Sequence, residues 1–153
     1  MTPRLIYRAD LTLELGAPTD ITELPQGTRQ LHPITGGSFS SPRGMGTILA
    51  QGGDQRLVQP DGYTQLYTRF LIDMGDSTQV NVTNTGILFE PPGLAAARKA
   101  NPKTKIDPEQ VFYRSTPRFE TNAPEHDWLT KPLFITEGTV SETSIELKLF
   151  EVL

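Results

Sequence analysis

An all-β fold, an antiparallel β-barrel of about nine or ten strands with one short helix, is what three features of this sequence predict. Short apolar–polar alternations recur along the chain, the period-two signature of half-buried strands. The 13 glycines and 13 prolines are spread between those alternations, so they read as turns rather than as a low-complexity tract. Only one segment is rich in strong helix formers. With 153 residues, the chain reads as one domain over 1–153 and is long enough to bury a core.

The elements follow in order. Leu5 to Leu15 alternates through Leu11, Leu13 and Leu15 and reads as a strand. Asp20 to Gln26 is a turn-rich connection. Thr28 to Thr35 alternates again, and Gly36-Gly37 marks a bend or bulge where a side chain would obstruct. Gly46 to Gln51 is a strand, Gly52-Gly53-Asp54 a hairpin-type turn, Gln55 to Gln59 a short strand and Pro60-Asp61-Gly62 a further turn. Thr64 to Asp73 is the clearest strand, with Leu66, Thr68, Phe70 and Ile72 on one face and Gln65, Tyr67, Arg69 and Leu71 on the other. Met74-Gly75-Asp76 turns it into Thr78 to Asn84, and Gly86 to Glu90 continues after a break.

Pro91 to Pro108 differs. Gly93 to Ala100 carries alanine, leucine, arginine and lysine, and Asn101-Pro102 stops it. This short helix with its Lys-rich loop reads as a surface excursion or a lid. Gln110 to Arg114 and Arg118 to Thr121 flank Pro117, and Leu133 to Thr139 and Ser144 to Val152 complete the strands. So many strands in one short domain either form a sandwich or close on themselves. Polar side chains on apparently inward faces favour the barrel, which can hold them around a ligand where a dry sandwich core would strand them.

Composition narrows the function. The net charge is −4, which argues against a nucleic-acid partner. The chain has no cysteine, which removes disulfides, thiolate metal sites and a cysteine nucleophile. No apolar run is long enough to span a membrane. Arg4, Arg8, Asp10 and Glu14 interrupt any signal-peptide apolar stretch, so a cytoplasmic location is expected.

Several motifs resolve into ordinary structure. Gly36 to Gly46 is rich in glycine and serine, but it lacks the phosphate-loop order and no helix pattern follows it. No nucleophile elbow occurs, and a Ser-His-Asp trio from Ser38 or Ser115, His126 and Asp127 has no spacing to support it. Asn81-Val82-Thr83 fits a glycosylation acceptor but reads as strand polarity. Glu125-His126-Asp127 is a compact polar cluster, yet adjacent strand residues face opposite ways. A trio of His126, Asp54 and Glu120 is not demanded by any spacing either, so no metal site and no cofactor are expected.

The ordered set Gly36-Gly37-Ser38-Phe39, Gly52-Gly53-Asp54, Asp61-Gly62, Arg69, Asn84 with Gly86, Tyr113 to Thr121 and Trp128-Leu129 resembles domain-of-unknown-function family 3237, small bacterial and fungal proteins. The resemblance runs from about residue 5 to the C terminus. Where the family commonly has G-G-A-D-W, this chain has Gly52-Gly53-Asp54-Gln55, so the correspondence of Asp54 depends on register. The resemblance implies a small β-barrel with a pocket, often a homo-oligomer (dimer or higher), and little about chemistry.

What remains is an acid–base constellation. Arg69, Asp54, Glu120 and His126 are the candidate catalytic residues: the arginine would polarise a carbonyl or enolate oxygen while a carboxylate or imidazole moves a proton. Tyr67, Tyr113, Arg114, Phe119 and Trp128 are the candidate ligand-binding residues. The expected partner is a small hydrophobic or aromatic molecule. The expected activity is a cofactor-independent isomerase, cyclase or lyase, with a non-catalytic lipocalin-like binding protein as the alternative. A structural Arg–carboxylate pair inside the barrel would explain the same residues without chemistry.

Overall fold

The computed structural model describes residues 1–101, 103–105, 107 and 109–153. Ten strands are joined in one sheet: β1 (Leu5–Leu15), β2 (Thr19–Leu24), β3 (Gly27–Ser41), β4 (Gly44–Ile48), β5 (Gly53–Val58), β6 (Tyr63–Asp73), β7 (Gln79–Phe89), β8 (Phe112–Glu120), β9 (Leu133–Val140) and β10 (Ser144–Val152). Strand pairing runs β1-β10-β9-β8-β7-β6, returns through β4 and β5 to β3, and closes where β3 meets β1. β4 and β5 lie end to end between β3 and β6, so the wall is eight strands round. β2 pairs with β3 outside that circuit. The antiparallel barrel the sequence predicts is the observed fold, and closure removes the exposed edges an open sheet would leave.

Three local expectations change. β2 occupies the predicted turn-rich connection; it is exposed along its length, so no apolar alternation marks it. β3 continues through Gly36-Gly37, with a bulge where Leu15 pairs with Ile34 and Glu14 with Gly36, leaving Thr35 unopposed. A Cβ on Gly37 would sit 1.9 Å from the Thr12 carbonyl oxygen, which explains the glycine. β8 runs unbroken through Pro117, because beyond Ser115 it pairs only with β7 and the missing proline N–H falls on the unpaired side.

Helix α1 (Leu94–Ala100) ends as expected, with the Asn101 N–H donating to the Ala97 carbonyl. Pro102 and Pro108, the predicted stop and the end of the predicted insertion, lie outside the described residues. A second helical segment was not expected: a 3₁₀ turn (Pro124–His126) leads into α2 (Asp127–Thr130). Among the described residues no helix is long and apolar enough to cross a membrane.

The two ends of the barrel differ. Toward the β6–β7 turn the interior is apolar: Phe39, Ile48, Phe70, Ile72, Val80, Val82, Phe119, Phe134 and Leu149 are buried together. Leu129 of α2 joins them, and the Trp128 ring packs 6.2 Å from that of Phe39. This segment plugs the floor. Toward the opposite end, the mouth, polar side chains replace the apolar ones.

Candidate functional site

Register builds the polar half. Reading across the wall, one row of paired inward positions is His32, Asp54, Thr68, Asn84 and Pro117. The next toward the mouth is Arg56, Leu66, Gly86, Ser115 and Thr136, and the one above it Val58, Thr64, Leu88 and Tyr113. Period-two alternation therefore gathers residues distant in sequence onto one inner surface. Two inward positions are glycines that make room. A Cβ on Gly138 would lie 2.3 Å from the Tyr113 ring, and one on Gly86 2.6 Å from the Ser115 Cβ.

At the centre is a buried ion pair. The Arg56 Nε donates to Asp54 Oδ2 at 2.7 Å, and the Thr68 hydroxyl donates to Asp54 Oδ1 at 2.8 Å. Asp54 is 0% exposed. A carboxylate so deeply desolvated is tolerated because it has a charged partner and a hydrogen bond to each oxygen. With Nε engaged, the Arg56 guanidinium keeps Nη2 buried and unpartnered. The Ser115 and Thr136 hydroxyls bond to each other on the facing wall.

Beside this pair, polarity is left open. Five of the seven buried, unpartnered side-chain nitrogen and oxygen atoms among the described residues belong to His32, Arg56, Asn84 and Tyr113. Each such atom costs about 1–3 kcal/mol unless a ligand or water meets it. Burial pushes the Tyr113 phenol well above the ordinary tyrosine range, and the Asp54 carboxylate adds to the shift; the Arg56 charge opposes it, as do Ser115 and Asn84, whose polar groups approach the phenol without completing a well-formed hydrogen bond. Tyr113 is thus a neutral donor.

His32 is the complementary group. Gln30 Nε2 donates to Asp20 Oδ1 at 2.9 Å, which turns Gln30 Oε1 toward His32 Nε2 at 3.2 Å. That network assigns the ring proton to Nε2 and leaves the lone pair on the buried Nδ1. Burial, and then the positive charge of Arg56, lower the His32 pKa to about 4, against a smaller raising effect of Asp20. His32 and Arg56 both line a cavity of about 720 Å³ at the mouth, with Thr64, Val58 and Leu88 below and Ala95 and Lys99 of α1 above. Helix α1 thus borders the mouth, where the sequence allowed a lid or a surface excursion.

Of the nine predicted site residues, Asp54 and Tyr113 are the two buried in the polar half of the barrel, close enough for the Asp54 charge to act on the Tyr113 phenol, but neither lines the mouth cavity itself. Asp54 lies within β5 rather than in a turn. Arg69 and Tyr67 are on the outer face of β6. Tyr67 shares a shallow outer groove with Arg114, whose guanidinium lies 4.8 Å from the Phe112 ring centroid. Glu120 is also outside and accepts from Asn81 Nδ2 at 2.6 Å. Phe119 faces inward but in the apolar half, edge-on to Phe134. His126 and Trp128 belong to the floor plug. Arg56 and His32 were missed. The signal was present: Asp54 and Arg56 are two apart on one short strand, so they share a face.

Comparison with known proteins places this barrel among relatives. A UPF0311 protein of Rhodopseudomonas palustris, RPA1785, is 30% identical across the full length of both chains. Its crystal structure, described as a conserved protein of unknown function, superposes with a TM-score of 0.88 over 100% of this chain and 99% of that one, at 28% identity. PR-toxin biosynthesis cluster protein 7 of Penicillium roqueforti is 28% identical over 99% of this chain and 93% of its own. An enzyme from Penicillium herquei shares the fold with a TM-score of 0.72 over 100% of this chain and 96% of that one, at 16% identity. The model of the proteins of unknown function called DUF3237 matches residues 3–152, strand β1 to strand β10, so the whole barrel with its polar hollow belongs to the DUF3237 family.

Proposed function

We propose that the mouth half of the barrel binds a small, largely apolar molecule bearing a carbonyl or enolisable oxygen, and acts on it by acid–base chemistry: isomerisation, cyclisation or elimination. The observation that carries this reading is that Arg56 and His32, each with a buried unpartnered nitrogen, line one mouth cavity, while the unpartnered atoms of Tyr113 and Asn84 are buried on inward positions of the same polar half. A protein under selection for stability alone would pair them or replace them with apolar groups. Their chemistry is also differentiated. Arg56 Nη2 offers a charge-assisted donor to a developing oxyanion. His32 Nδ1, neutral at pH 7, offers a proton acceptor, and the Tyr113 hydroxyl a proton donor. Asp54 in this reading positions Arg56 rather than exchanging protons itself, since both its oxygens are engaged.

These groups can carry such a reaction from the chain's own side chains. Shape would contribute as well, because a walled hollow holds one reactive conformer. That a Penicillium relative takes its name from a biosynthesis cluster, and that a protein of the same fold is called an enzyme, supports a catalytic reading over passive binding. The lipocalin-like alternative rests on the same hollow without the proton transfer. A homo-oligomer remains part of the reading; the exposed Tyr67, Ile87 and Phe112 offer it an apolar surface.

The test uses enolisable aryl ketones, with the matching alcohols as controls. Thermal-shift binding reports occupancy, and deuterium uptake at the α-carbon in heavy water reports proton transfer. Binding with exchange that is lost in Arg56→Met supports the enzyme reading. Binding without exchange leaves the ligand carrier. Failure of every carbonyl compound to bind removes both.

A further inference from the structure

We propose that Asp76, Glu125 and His126 bind a divalent transition-metal cation at the closed end of the barrel, fastening the floor plug to the β6–β7 turn. One carboxylate oxygen from each acid and one imidazole nitrogen all lie within 4.8 Å of one another. Bonds of about 2.0–2.2 Å at tetrahedral angles put an ion's donors roughly 3.3–3.6 Å apart, so turning the two exposed carboxylates inward by an ångström or somewhat more completes the set. Both acids are exposed, and neither makes a hydrogen bond or ion pair among the described residues, so their side chains are free to turn inward.

The independent observation is His126 itself. It is only 7% exposed, yet both ring nitrogens lack a partner. These are the two unpartnered buried atoms that the mouth does not account for. An imidazole sunk into a floor with nothing to bond is costly, and a bound cation supplies a partner for one of its two ring nitrogens. Local structure permits the trio. Glu125 and His126 lie in a 3₁₀ turn, not a strand, so neighbours in sequence can converge on one point. Asp127, the third member of the polar run, is taken by Lys131 at 2.8 Å. Asp76 arrives from the β6–β7 turn, which is held by the Gly75 N–H donating to Asp73 Oδ1 at 2.8 Å.

The donor set decides the class of ion. One imidazole and two carboxylates, with no thiolate anywhere in the chain, suit zinc, manganese or cobalt rather than copper(I). Three protein donors leave room for water. The ion would span segments some fifty residues apart in sequence, at the end of the barrel opposite the ligand hollow.

The chain's single tryptophan, Trp128, lies two residues from His126 and reports the site directly. Titration with cobalt(II), a fluorescence quencher, should quench its emission saturably at one equivalent, and zinc should reverse the quenching. The Asp76→Asn, Glu125→Gln double variant changes only exposed side chains and should weaken binding by about tenfold or more; His126→Gln should do the same. Zinc should raise the melting temperature of the native chain and not of the double variant. Absence of saturable quenching up to about 1 mM cobalt, or quenching undiminished in the double variant, would overturn the proposal.

Discussion

The barrel's two halves are built from the same strands and solve opposite problems. In the floor half, β6, β7 and β8 contribute Phe70, Val82 and Phe119 to one paired row. Two residues further along, the same β6 and β7 contribute Thr68 and Asn84. The floor gains from burial and close packing, at about 25 cal/mol for each Å² of apolar surface removed from water. The mouth half gains less and leaves polar atoms unmet. A fold this small can carry such a hollow only if its other half supplies the stability. That division of labour is what the variants below should break or sharpen.

The largest effects should come from one substitution in each half. Phe134→Ala leaves a cavity under the edge-on Phe119 ring and should cost about 3–5 kcal/mol. Arg56→Met should cost a similar amount, about 3–5 kcal/mol, because it strands the Asp54 carboxylate in the interior. Urea denaturation measures both. The halves part company on rescue. Adding Asp54→Leu to Arg56→Met removes the stranded charge and should recover much of the loss, while ligand binding stays abolished. A double variant as unstable as the single one would show that the polar half, too, depends on tight packing.

The pH response comes next and belongs to the mouth. In the folded chain His32 stays neutral down to about pH 4, whereas in the unfolded chain it protonates near the ordinary value of about 6.5. The unfolded state therefore binds the extra proton between those values. The stability His32 contributes by being neutral is fully present above pH 6.5, is lost as pH falls toward 4, and declines no further below that. Melting temperatures from pH 7 to 4 should fall in the native chain and more gently in His32→Gln. Parallel curves would mean the imidazole is not held neutral.

The sequence disclosed the wall more readily than the site. Alternation in Leu5 to Leu15 and Thr64 to Asp73 matches β1 and β6 residue for residue or within one, because half-buried strands must alternate. The facing of β6 was legible too, and it put Arg69 opposite Phe70 and Thr68. What could not be read was which face turned inward at a polar position. Arginine between apolar neighbours is equally compatible with a buried ion pair and with an outer face whose neighbours point the other way. β2 left no trace because an exposed strand carries no apolar period. Glu125 and His126 converge only because the chain makes a 3₁₀ turn there, which local composition hardly marks. Gly52-Gly53 marks Asp54 as a turn residue, whereas Arg56 lies in a strand too short for its alternation to show which face turns inward.

Tyr113→Phe should separate stability from function within the polar half. It deletes a buried hydroxyl that completes no well-formed hydrogen bond, although Ser115 and Asn84 approach it, and keeps the ring that lies against Gly138. Stability should be unchanged or rise by about 1 kcal/mol. Turnover should fall by about a hundredfold if the phenol donates a proton to the reacting molecule. A loss of stability instead would mean the hydroxyl is satisfied by the protein, and the hollow would then offer a ligand one group fewer.

The smallest effect should be at Arg69, and its smallness is informative. Its side chain is exposed on the outer face of β6, across the wall from the hollow. It makes no ion pair or side-chain hydrogen bond among the described residues, so Arg69→Met should shift stability by no more than about 0.5 kcal/mol. Ligand binding and turnover should be unchanged, because the wall separates Arg69 from Arg56 even though the two residues lie on adjacent strands and Arg69 pairs with Gly53. The two arginine-to-methionine variants thus form a matched pair: the same chemical change, one strand apart, on opposite faces. Arg69→Met abolishing binding while Arg56→Met preserved it would move the ligand to the outer groove of Tyr67 and Arg114, and the unpartnered atoms inside the barrel would lose their functional explanation.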